Sequence, residues 1–274
     1  MLSLLNEGVG ALPGLPLQNL LEMVAQFLFA SLRIGSFLLA SPLFGAKFVL
    51  LPVKILIAAS LTIVVVALNP ELPDIETIAS LNAFIIAGTE IVIGISAGLI
   101  LTIFFAAASL AGEKIAASSG LSMATAVDPA SGASSPVMAQ ILYLLLLVIF
   151  MSLDGHLSAI RTIIESYAFL PIGTVPKTEW IFVAGMESAR FMWNTAAVIM
   201  LPFAVVLLLI QVSIGVITRS APTLNIFSFA FPVTMMASFF LIYMSASTIG
   251  TGLTNLTSDA IFAMQQMMES MLNG

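Results

Sequence analysis

The chain has 274 residues, 60% of them hydrophobic and only 8% charged, with a formal net charge of −6. Soluble domains carry about 25% charged residues, so a water-soluble surface is excluded, and a mean hydropathy of +1.14 points to helices surrounded by lipid or by other protein. The absence of cysteine removes disulfides and thiolate chemistry, and the single His156 removes a histidine-rich metal site. The 8 scattered bases offer no patch for neutralising phosphates, so no metal, cofactor or nucleic acid is expected.

Six apolar segments are predicted, each with a few residues of error at its ends. The stretch from Gly8 to Pro16 leads into the first and has no basic region ahead of it. With Glu7, Pro13 and Pro16 where an apolar core should lie, it does not read as a cleavable signal peptide. Val24 to Phe44 is apolar except for Gln26, Arg33 and serines, and stops at Ser41-Pro42. Leu50 to Leu68 follows, with Pro52 and Lys54 near its start, where proline is tolerated and a lysine stem snorkels toward an interface. Asn69-Pro70 ends it, and the loop to Ser80 holds Glu71, Asp74 and Glu76. The third segment, Leu81 to about Leu110, is interrupted only by Glu90 and is too long for one perpendicular span. It is therefore expected to tilt, to leave the bilayer, or to pack inside a larger assembly.

From about residue 111 to 136 the composition turns to Gly, Ala, Ser and Thr with Glu113, Lys114 and Asp128. This is too polar for lipid and too long for an ordinary turn. Val137 to Leu153 is a dense apolar run that ends at Asp154-Gly-His156, and a partly amphipathic region holds Arg161, Glu165, Lys177, Glu179, Glu187 and Arg190. Phe191 to Ile217, with Pro202, and Ile226 to Leu253, with Pro232, close the membrane part, and both are expected to kink where neighbouring protein satisfies the freed carbonyls. Met264, Met267, Met268 and Met271 recur at helical spacing, predicting an amphipathic helix over about 257–272 that docks on a neighbour. Basic residues are too few for the loop-charge rule to fix topology.

A charge inside an apolar helix costs about 2.5–3.5 kcal/mol at its centre. Arg33 and Glu90 are therefore read as a buried pair or as partner contacts ahead of ion-pathway groups. His156 reads as a polar cap or a hydrogen-bonded core residue. Catalysis is not expected: one histidine cannot supply His-Glu-x-x-His, and pairing Ser119 or Ser134 with His156 lacks any elbow motif around the serine. A secondary transporter with broken helices is the alternative, resting on the intramembrane charges and on prolines in both halves, although no substrate-binding cluster of charges is present.

The run Ala111-Gly-Glu-Lys-Ile-Ala-Ala-Ser-Ser-Gly-Leu-Ser-Met-Ala-Thr-Ala-Val-Asp-Pro129 carries a resemblance, together with Gly155-His156, Leu170-Pro-Ile-Gly173 and Arg219-Ser-Ala-Pro-Thr-Leu-Asn-Ile-Phe227 with Phe231-Pro232. With Arg33-Ile34, Pro42, Pro52 and Lys54 in the right order, the chain resembles the FliR family, the flagellar member of the type III secretion export gate. The resemblance implies one all-α membrane domain over 1–274, with kinked and partly non-spanning helices packed in a helical hetero-oligomer. Its partners would be P-type and Q-type export-gate subunits and other export-apparatus membrane proteins, with unfolded protein as cargo and membrane lipid around it. The location implied is the bacterial inner membrane, at the flagellar basal body.

The resemblance also implies that the stretch matching Gly112 to Val127 closes the channel from inside. Gly112, Glu113, Lys114, Gly120, Leu121, Ser122, Met123, Asp128 and Pro129 are its candidate residues, and an exposed loop is the plainer reading. Small residues pack in a narrow lumen, Gly112 and Gly120 allow a bent path, Met123 is a candidate gasket, and Asp128 reads as a helix cap. Arg33, Lys54, Glu90, His156 and Arg219 are the ionisable residues to place. Relatives commonly have glutamine and a bulky residue where this chain has Ser118 and Ser119, and Pro-Gln-Leu where it has Pro222-Thr223-Leu224.

Overall fold

A computed structural model describes residues 17–46, 49–68, 82–120, 136–174, 179–220 and 226–273. Among the described residues every regular element is an α-helix: α1 Leu17–Ala40, α2 Leu51–Leu68, α3 Asn82–Ser119, α4 Val137–Ser152, α5 Gly155–Phe169, α6 Glu179–Ser220, α7 Ile226–Met244 and α8 Ala246–Asn273. Among the described residues four helices are long and apolar enough to cross a membrane, or up to six spans result if the bent pairs α4 with α5 and α7 with α8 each count as one. The protein is an all-α integral membrane protein.

The chain divides into two compact units whose segments interleave in sequence. One holds residues 1–101, 157–184 and 264–274, and the other holds residues 102–156 and 185–263.

In the first unit α1 packs on α2, and α1 also lies against the first half of α3. Gly94 and Gly98 make that second contact possible: a Cβ on Gly94 would collide with Ser36 Oγ and the Arg33 carbonyl. One on Gly98 would stand 2.6 Å from Ala40 Cβ. Small residues one turn apart let two apolar helices approach backbone to backbone, gaining dispersion that lipid does not offer. Phe37, Leu38, Ile93, Ala97 and Leu101 fill the seam and are buried. The last turns of α8 add the buried Met264, Met267, Met268 and Met271, and Gln265 Nε2 donates to Thr162 Oγ1 of α5 at 3.4 Å.

In the second unit the other half of α3 runs beside α4. Gly112 is again the point of closest approach, with room for a Cβ denied by Ala139 Cα at 2.5 Å and Met138 O at 2.6 Å. Phe105 meets Tyr143 and Phe150 edge to face, with ring centroids 5.8 and 5.2 Å apart, the arrangement that aromatic quadrupoles favour. The window of α3 is 61% buried, against 11% for α2 and 22% for α6, so α3 is the packed helix while α2 and α6 present apolar faces outward.

Several elements depart from the sequence reading. The third segment continues nine residues beyond Leu110, because Ala111, Ile115 and Ala116 keep a buried stripe while Glu113 and Lys114 take the exposed side. Pro202 and Pro232 lie inside α6 and α7, and neither is the site of the sharp bend. The apolar run from Ile226 instead bends by 65° at Ser245, with Ser245 N–H donating to Leu241 O and Ile249 N–H to Ser245 O on either side of the bend. The partly amphipathic region contains a helix of its own, α5, which follows a sharp corner. There Asp154 sits at φ 55, a left-handed value that aspartate tolerates better than most residues, and Gly155 lies under the Phe150 ring.

Candidate channel-closing site

The ionisable residues of the apolar helices come together in the first unit. Arg33 Nε donates to Glu90 Oε2 at 2.7 Å and Nη2 to Oε1 at 3.0 Å, with neither side chain exposed. Arg33 Nη1 donates to Ser166 Oγ at 3.0 Å and Nη2 to the Leu170 carbonyl at 2.9 Å, so four of the guanidinium N–H groups have acceptors. The Tyr167 ring lies 4.2 Å from the guanidinium carbon, and its hydroxyl donates to Ala30 O at 2.7 Å. Glu90 precedes Gly94 and Gly98 by one and two turns, so the close approach of α1 to α3 delivers the carboxylate to the guanidinium. The charges are spent on each other, and no surplus charge remains in this cluster for a solute.

The other ionisable residues stand apart. Lys54 Nζ donates to Gly45 O at 3.1 Å, bracing the turn before α2. Arg219 is exposed in the last turn of α6, where its charge complements the helix dipole. His156 lies in the first turn of α5, and its buried Nδ1 has no hydrogen-bond partner among the described residues. Nδ1 therefore makes neither a cap nor a core hydrogen bond among those residues.

The residues expected to close a channel are divided between a helix and the segment after it. Gly112, Glu113 and Lys114 belong to α3. Gly112 is therefore no bend: the missing side chain serves the contact with α4. Gly120 is the bend, at φ +80, directly after the helix. Leu121, Ser122, Met123, Asp128 and Pro129 lie outside the described residues.

A helix leaves its last four carbonyls without intrahelical donors. Here each has one: Ser119 Oγ donates to Ala116 O at 3.1 Å, and Gly120 N–H to Ala117 O at 3.3 Å. Gln211 Nε2 of α6 donates to Ser118 O at 2.6 Å, and Thr234 Oγ1 of α7 to Ser119 O at 3.0 Å. Two of the four donors are side chains from distant helices. Beside them lies a cavity of about 280 Å³ lined by Ala117, Gly120, Gln211, Ile214, Thr218 and Phe231, among others.

Residues 24–260 match the family described as bacterial export proteins, family 1. The chain belongs to this family. The flagellar biosynthetic protein FliR of Escherichia coli (strain K12) is 34% identical over 205 residues, covering 74% of this chain and 77% of the relative. That of Pectobacterium carotovorum is 31% identical over 218 residues, covering 79% and 82%, and that of Bacillus subtilis (strain 168) is 25% identical over 257 residues, covering 92% and 98%.

The structure uses the backbone carbonyls of Ser118 and Ser119, which any residue supplies. Two features escaped the sequence reading. Gln211 and Thr234 gave no signal, since a lone amide and a lone hydroxyl in apolar helices bond anything nearby. Gly94-Ile-Ser-Ala-Gly98 did give one, as a G-x-x-x-G in an apolar helix marks a close crossing.

Proposed function

We propose that the chain is a core subunit of the flagellar type III protein-export gate, assembled with P-type and Q-type subunits in the bacterial inner membrane at the flagellar basal body. The family match over 24–260 carries this reading. The outward apolar faces of α2 and α6 support it, since they offer lipid or partner helices far more surface than a self-contained bundle needs. Other export-apparatus membrane proteins join the assembly, unfolded flagellar subunits are its cargo, and the chain acts as a structural part without catalysing a reaction. A transporter reading loses ground because Arg33 and Glu90 neutralise each other.

The polar segment after Gly120 closes the channel until cargo arrives. The left-handed Gly120 at the end of a well-packed helix supports this, since it fixes the point at which α3 stops. The test removes residues 121–127 and leaves α3 whole. Reconstituted assembled particles should then conduct small ions, whereas unchanged permeability with normal assembly would sink the closing role.

A further inference from the structure

Gln211 and Thr234 belong to different helices yet converge on consecutive carbonyls, Ser118 O and Ser119 O, in the last turn of α3. Apolar packing holds that turn only in part. Ser119 is buried, but Ala117 is exposed, and the cavity of about 280 Å³ occupies the side where a packed neighbour would lie. A terminal turn packed on one side only frays more readily than the interior of its helix. Donors from α6 and α7 oppose that fraying.

Both donors also have somewhere else to go. Thr234 Oγ1 lies 3.0 Å from Ala230 O and 3.1 Å from Phe231 O of its own helix, so its proton swings from Ser119 O to a local acceptor without being orphaned. Gln211 is exposed, and its amide turns to solvent or headgroup. A contact whose broken state leaves few unmet polar groups opens at small cost. Ordinary helix caps bond within their own helix and lack this property.

We propose that Gln211 and Thr234 form a releasable latch on the end of α3, keeping it wound up to Gly120, so that release unwinds the root of the channel-closing segment. This rests on the closing role proposed above. The two are positioning residues: they touch neither cargo nor channel in this scheme, and they act through the backbone of residues 118–120.

The test uses full-length chain assembled with its partner subunits in lipid, carrying Gln211→Met, Thr234→Val or both. Each single variant should speed amide exchange of residues 117–120 by roughly 2- to 12-fold, the range for one lost hydrogen bond, and the double variant by more. Thr234→Ser, which keeps the hydroxyl, should restore protection, whereas a merely steric role for Thr234 would leave it unrestored. Ion permeability should rise in the double variant. Unchanged exchange at 117–120 overturns the latch. So does raised exchange with a tight channel when removal of 121–127 leaks, and the closing role then survives. If neither the double variant nor the deletion leaks, the closing role itself falls, and the latch with it.

Discussion

Arg33 on α1 and Glu90 on α3 form a two-pronged ion pair with both side chains fully buried, and a third helix, α5, completes it through Ser166. Neither charge is tolerable alone in an apolar setting, so the three helices are obliged to associate.

Arg33→Met should therefore cost about 3–5 kcal/mol, because it strands Glu90. Arg33→Met with Glu90→Gln should recover much of that loss. A double-mutant cycle on thermal unfolding of the purified chain checks this: additive losses would mean that the residues do not depend on each other.

Gly98→Leu should separate α1 from α3 and cost about 1–3 kcal/mol or more, since even a Cβ meets Ala40. Gly35→Ala, at a glycine inside α1 with nothing within 4 Å, should hold or raise Tm. Equal effects at the two positions would contradict the close crossing.

The helical, membrane-embedded character was legible because composition and segment length leave few alternatives, and Asp154-Gly155 marked the end of an apolar helix. The end of α3 was not legible. Residues 111–119 are small and partly polar, which reads as loop when counted by composition, yet alanine is the best helix former and every third or fourth position faces protein. Gly112 was misread for a related reason: a glycine that permits bending and a glycine that permits close packing are the same letter. The bend at Ser245 depends on long-range packing, which leaves little local trace. The pairing of Arg33 with Glu90 was one of several readings of two lone charges, and the Gly94 and Gly98 stripe is what brings them together.

Gly120→Ala should cost about 1–2 kcal/mol, the penalty for a Cβ in the left-handed region, with the Phe231 ring 3.2 Å from the added carbon. The loss should be local. Amide exchange across 117–120 should accelerate while global unfolding moves little, and a uniform change across α3 would contradict a role confined to the helix end.

His156→Leu should hold or raise Tm, because the buried Nδ1 has no partner among the described residues and such an atom costs about 1–3 kcal/mol. A clear fall in Tm would show that the imidazole is partnered in the folded membrane protein.

The central claim is that this chain is built into an export gate. Co-expression with P-type and Q-type subunits, mild detergent extraction and native mass spectrometry test it most directly. One stable particle containing a single copy of this chain together with several copies of each partner is the predicted result. A monomer or homodimer that ignores both partners would contradict it.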